Sequence, residues 1–128
     1  MKTLRNETEV RMISDLASKQ CTPCKGGTPP LSGEKVKDLL GELDGWTVQQ
    51  EYHLTRLYDF PDFAKALAFV NQIGEIAEQQ NHHPDIYLAW GNVRVEVWTH
   101  KIKGLTESDF IFAAKVDAAL AEFQGAEQ

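Results

Sequence analysis

Residues 85–98, DIYLAWGNVRVEVW, alternate apolar and polar side chains on either side of a central Gly91-Asn92 pair. Alternation with a period of two sends successive side chains to opposite faces of a strand, and a two-residue connection with glycine first suits a tight type II′ hairpin turn. The register expected from that turn sets Trp90 opposite Val93, Leu88 opposite Val95 and Ile86 opposite Val97. One face of the hairpin is then wholly apolar and needs a helical layer against it.

The flanking segments supply that layer. Upstream, Pro61 pre-sets the backbone of a first helical residue, and Phe63, Leu67, Val70, Ile73 and Ala77 share one face, which predicts a helix over 62–80. Downstream, Thr106 and Asp109 have the spacing of a helix N-cap and its third residue, and Phe112, Val116, Leu120 and Phe123 line a C-terminal helix. Further upstream, Trp46, Val48, Tyr52, Leu54, Leu57 and Tyr58 indicate two more strands, and no Asn-Gly or Asp-Gly marks their turn. Before them, Ser32 is an N-cap candidate for a helix with Val36, Leu39, Leu40 and Leu43 on one side and Gly45 past its end. The order α-β-β-α-β-β-α predicts an α+β fold, a four-stranded antiparallel sheet with about three helices on one face.

A chain of 128 residues with 42% hydrophobic and 25% charged residues is expected to form one globular domain with a real core. Residues 20–128 form that domain in this reading. Residues 1–19 are an arm outside the core, with a weak helical rhythm at Val10, Ile13 and Leu16. The net charge of -6 offers no basic stripe for a phosphate backbone, so no direct nucleic-acid partner is expected. No apolar run reaches the ~18 residues of a membrane span, and Met1 to Ser18 carry charges where a signal peptide would be apolar. A cytoplasmic location is therefore expected, with no membrane partner. Cys21 and Cys24, in CTPC, read as reduced thiols in an ordered loop; alone they are two of the four ligands of a structural zinc, which a second subunit would have to complete.

Three of the four histidines fall close together: His82 and His83 at the foot of the 62–80 helix, and His100 beyond the hairpin. Continued to its open end, the expected register sets His83 opposite His100, with Cβ atoms ~5 Å apart by ordinary cross-strand spacing. Convergent imidazoles titrate near neutrality, so one can protonate a leaving group while another takes up a proton. Two other readings stand beside this one. Histidine at a helix C-terminus interacts favourably with the helix dipole and the free carbonyls. Three histidines with Glu78 or Asp85 could also form a metal shell, although adjacent ligands lack the spacing of a familiar zinc motif.

The run His82-His83-Pro84, followed by Trp90, then His100 and then Asp109, resembles the signature of the pterin-4a-carbinolamine dehydratases. The segment CTPCKGGTPPLSGE, Gly45-Trp46 and Asp62-Phe63 are similar to bacterial members of that family, and the likeness covers about residues 20 to 123. The resemblance implies dehydration of 4a-hydroxytetrahydrobiopterin to quinonoid dihydrobiopterin, which restores the cofactor of aromatic amino-acid hydroxylases. It implies a small-molecule pterin substrate and no metal or redox cofactor. Carried over, the active-site histidines are His82, His83 and His100, with His82 and His100 as the acid–base pair and His83 orienting the pterin. Glu78 corresponds to an acidic position that accepts a pterin N–H or fixes a histidine tautomer; its other reading is an exposed helix charge. Asp109 ends the signature and is equally a capping-box acid. Trp46 corresponds to an aromatic near the pocket, to stack on the pterin or to serve in the core.

Family members form dimers and tetramers, and animal members dock onto a homeodomain transcription factor. A homo-oligomer is thus expected, and the second functional reading is a pterin-binding or protein-docking module acting in transcriptional coactivation or molybdopterin metabolism. The stripe Val36, Leu39, Leu40 and Leu43 is the face such docking would use.

Overall fold

The computed structural model describes residues 16–21, 29–49 and 52–126, with side chains to Phe123. Cys24 and the arm residues Val10 and Ile13 lie outside the described residues. The elements follow the expected order: α1 (Gly33–Leu40), β1 (Thr47–Gln49), β2 (His53–Asp59), α2 (Phe63–Gln80), β3 (Asp85–Ala89), β4 (Asn92–Val97) and α3 (Glu107–Ala126). A helical turn at 16–18 precedes them. Ser32 caps α1 as expected, its hydroxyl accepting from the Lys35 N–H. At α2 the expectation shifts by one residue. Asp62, not Pro61, stands at the boundary, and its carboxylate accepts from the Lys65 N–H at 2.9 Å, satisfying an otherwise orphaned donor.

The sheet order is β1-β2-β4-β3, antiparallel throughout. The β3–β4 hairpin forms, in a register two residues away from the one expected: Leu88 pairs with Val93, Ile86 with Val95 and Asp85 with Glu96. The turn residues are Trp90 and Gly91, not Gly91 and Asn92. Trp90, expected opposite Val93 on the apolar face, is 69% exposed at the hairpin tip. A slip of two residues leaves every side chain on its own face, so hydrophobic alternation cannot distinguish the two registers. The turn fits closely here: the Gly91 carbonyl accepts from the Phe60 N–H at 2.8 Å, and a Cβ on Gly91 would lie 3.1 Å from the Phe60 carbonyl oxygen.

The inward face carries Leu54 and Tyr58 from β2 and Val93, Val95 and Val97 from β4, all buried. Phe69, Ile73 and Ala77 of α2 join them in the core. The first half of α3 departs from a single stripe: Phe110 through Ala114 are all buried, as in a helix enclosed on several sides. Upstream segments lie over its start. The Leu31 N–H donates to the Leu105 carbonyl, the Cys21 thiol to the Ser108 carbonyl, and the Lys115 ammonium to the Ala17 carbonyl. Leu16, assigned to the arm by its sequence, belongs to the core at 2% exposure.

A polar cluster sits within this packing. Asp117 of α3 accepts hydrogen bonds from Trp46 Nε1 (3.0 Å), Tyr58 Oη (2.8 Å) and Arg56 Nη1 (2.8 Å). Burial raises the Asp117 carboxyl above its ordinary value against the opposing pull of those three donors, and burial likewise drives the Tyr58 hydroxyl far up. Gly45 adopts φ 81°, a left-handed conformation that favours glycine, and a Cβ there would lie 2.8 Å from Arg56 Nε and displace that side chain.

Candidate functional site

The end of α2 is built by a left-handed residue. Asn81 adopts φ 53°, ψ 43°, and the His82 N–H turns back to the Ala77 carbonyl at 3.2 Å. Asparagine tolerates this conformation better than other non-glycine residues, so the chain reverses here and presents His82 and His83 in different directions. His82 turns inward, with a side chain 15% exposed, while His83 remains in solvent.

His82 Nε2 lies 2.7 Å from Asp109 Oδ1. The Asp109 carboxylate is fully buried and compensated by further donors: the Thr106 backbone N–H and the Thr99 hydroxyl both reach Oδ2 at 2.8 Å. Thr99 Oγ1 and Thr106 Oγ1 are 3.0 Å apart, which closes the network. Asp109 thus serves as the expected capping acid and also orients His82. Both carboxylate oxygens are occupied by protein partners, His82 on Oδ1 and Thr99 and Thr106 on Oδ2. Asp109 also ties together distant parts of the chain, joining the end of α2 through His82 to the end of β4 through Thr99, the neighbour of His100.

His83 Nε2 meets Glu78 Oε2 at 2.6 Å, an exposed pair bridging the last turn of α2 and the residues after it. Glu78 makes the contact to a histidine and, with its side chain 79% exposed, is equally the exposed helix charge of its other reading. The expected cross-strand pairing of His83 with His100 is not made: the β3–β4 ladder ends at Asp85 and Glu96, and His100 enters a tight loop closed by the Thr99–Gly104 bridge. His100 lies over the indole of Trp98, with ring centroids 4.3 Å apart and planes 9° from parallel.

Trp46 is placed elsewhere. At 5% exposure, with its N–H on Asp117, it is a core residue. Asp117 is eight residues along α3 from Asp109, about 12 Å at the rise of an α-helix. Its burial and its bond to Asp117 fit the core function considered for Trp46. Among the described residues no cluster of three His, Cys, Asp or Glu is arranged to hold a metal ion, and His82 and His83 are each engaged with a carboxylate of their own. A cavity of about 460 Å³ between α2 and α3, bordered by Gln72, Gln79, Lys115 and Glu122, includes none of the histidines. Thr99 was missed by sequence reasoning. Strand alternation held the signal, since with Trp98 and His100 on one face the residue between them points to the other.

When neutral, an imidazole that donates Nε2–H to a buried carboxylate keeps Nδ1 as its proton acceptor, and the same carboxylate stabilises the ring once it is protonated. A small α+β protein with carboxylate-oriented histidines at one end of its sheet is equipped for acid–base chemistry. A family model described as pterin 4 alpha carbinolamine dehydratase matches residues 29–119. A protein of Rubrobacter xylanophilus named "Putative pterin-4-alpha-carbinolamine dehydratase" is 59% identical over 105 residues, covering 82% of this chain and 98% of its own. One of the same name from Alkaliphilus metalliredigens is 48% identical, covering 86% of this chain and 100% of its own. The crystal structure of a transcriptional coactivator/pterin dehydratase from Brucella melitensis superposes with a TM-score of 0.67 at 35% identity, covering 71% of this chain and 98% of that one. A pterin dehydratase-like protein identified as a RuBisCO assembly factor in the alpha-carboxysome gives 0.52 at 26% identity, covering 59% and 88%. The chain belongs to the pterin-4a-carbinolamine dehydratase family.

Proposed function

We propose that the chain dehydrates 4a-hydroxytetrahydropterins, with His82, His83 and His100 at the reacting pterin. The observation that carries this reading is the His82–Asp109 pair, in which a histidine of the family signature is oriented by a buried carboxylate at 2.7 Å. Loss of water from C4a requires a proton at the departing hydroxyl and removal of one from a ring nitrogen. His82 and His100 divide these tasks: one imidazolium gives its proton to the hydroxyl as the C–O bond breaks, and the other imidazole takes the ring N–H proton. The products are water and the dihydropterin. His83, held by Glu78, binds and orients the pterin. Asp109 acts through His82, and the reaction needs no metal or redox cofactor. Return of a tetrahydropterin cofactor to an aromatic amino-acid hydroxylase is the role this activity would serve, in the cytoplasm and from a homo-oligomer.

The test is the rate at which freshly generated 4a-hydroxytetrahydropterin disappears, wild type beside a folded His82→Ala, His100→Ala double variant. Acceleration by wild type alone supports the reading, and a wild-type rate equal to the spontaneous one overturns it. A second reading, a docking module, is favoured by the neighbour described as a coactivator and by the one described as an assembly factor. A wild type without dehydratase activity that still binds a protein partner would establish it.

A further inference from the structure

His53 lies outside the family signature, yet it is joined to His100. The β2–β4 register, which pairs Leu54 with Val97, continues one step to bring His53 beside Trp98. Their rings are stacked, with centroids 3.8 Å apart and planes 4° from parallel. His100 stacks on the same indole at 4.3 Å and 9°. Two imidazoles at such distances on one face would overlap, because non-bonded carbons keep about 3.5 Å apart. The indole is therefore sandwiched, His53 on one side and His100 on the other.

The His53 end of the column is the anchored end. Its side chain is 15% exposed, the Tyr52 ring packs against it in a T-shaped arrangement at 5.0 Å, and Nδ1 lies 3.5 Å from Glu96 Oε1 without hydrogen-bond geometry. Glu96 is itself held by Arg94 Nε at 3.3 Å. The His100 end is exposed, and among the described residues the contact of its ring is this stack. His82 and His83 each have a carboxylate to hold them, whereas the His100 ring rests on the indole. With both faces occupied, Trp98 offers no surface on which a pterin could stack.

We propose that His53 is a positioning residue for His100, acting through the indole of Trp98, an inference that rests on the acid–base reading of His100. Pinned between two rings, Trp98 keeps one rotamer, and the His100 imidazole stacked on it is held in the orientation that proton transfer requires. Without His53, the indole is free to leave and His100 loses its guide. A flat ring is what the position needs, not a titrating one.

The test compares His53→Leu, which fills the space without a flat face, with His53→Phe, which restores one. Histidine ring signals in isotope-labelled full-length protein report the stack independently of activity, since the indole ring current shifts those of His100 upfield. In His53→Leu the His100 signals move toward those of an exposed histidine, and kcat for 4a-hydroxytetrahydropterin falls about tenfold with KM within about threefold. His53→Phe keeps both near wild type. Unchanged His100 signals in folded His53→Leu, or an equal kcat loss in both variants, overturns the proposal. If either variant fails to fold, Trp98→Leu removes the shared indole and must release His100 in the same spectra. A wild type that does not accelerate dehydration defeats the acid–base reading, and a His53→Leu spectrum identical to wild type defeats the stack, so the two failures are distinguishable.

Discussion

His82 Nε2 and Asp109 Oδ1 are 2.7 Å apart, although 27 residues separate them in the chain. The carboxylate is buried and receives two further donors, so it is rigidly placed. Asp109→Asn exchanges a charge for an amide that presents either a carbonyl or an NH₂ to the ring, and so weakens control of the tautomer. We expect kcat to fall about 10²-fold, the lower end of what general acid–base catalysis contributes, with KM little changed. Steady-state kinetics on the folded variant checks this, and a loss confined to KM would place Asp109 on the substrate instead.

His83 and Glu78 form an exposed pair, and exposed pairs contribute below about 1 kcal/mol to folding. Their substitution should therefore leave the melting temperature nearly unchanged and appear in binding. His83→Ala is expected to raise KM about tenfold with kcat within about threefold. A large loss of kcat at constant KM would move His83 into the proton-transfer pair.

The order of the seven elements and the faces of the strands were legible in the sequence, because alternation and helical spacing record which side is buried. The hairpin register was not: pairings two residues apart place Leu88, Val93 and Val95 on the same face, and contacts such as that of the Gly91 carbonyl with the Phe60 N–H lie outside the hairpin's own pattern. The histidine trio was visible as a cluster, while its supports were not. Thr99 and Trp98 acquire meaning only once β4 is paired, and His53 only when β2 and β4, distant in sequence, lie side by side. Trp46 read more readily as core than as pocket, but its partner there, Asp117, lies 71 residues away and was not visible.

Asp117 accepts from Trp46, Tyr58 and Arg56 within the core layer. Asp117→Ala leaves the Arg56 charge without its partner and two buried donors unsatisfied. Breaking such a cluster from one side costs about 3–5 kcal/mol, comparable to deleting the fully buried Phe69 ring by Phe69→Ala. Urea unfolding of both variants measures this, and a cost below about 1 kcal/mol for Asp117→Ala would show that the cluster contributes little.

Dehydration should persist after exhaustive chelation. The proposed steps use only imidazoles, and His82 and His83 each meet a separate carboxylate through Nε2, with no third metal-ligating side chain gathered beside them among the described residues. Activity lost to a chelator and restored by added zinc would replace the acid–base reading with a metal site.

The Cys21 thiol supplies a pH test. Burial raises its pKa to about 11, with Lys115 lowering it and Asp109 raising it. At pH 8 to 9 the thiol stays protonated, and since the thiolate is the nucleophile, alkylation of Cys21 in folded protein should be slow and climb only toward pH 11. The sign for stability follows from the same shift. Between the ordinary thiol value of 9.0 and about 11 the folded state retains a proton that the unfolded chain has lost, so this group makes stability fall as pH rises through that window and adds no further slope above it. Cys21→Ser, whose hydroxyl does not titrate there, should flatten that part of the stability profile. An identical decline in Cys21→Ser would assign it to other groups, and peptide mapping of alkylated protein separates Cys21 from Cys24.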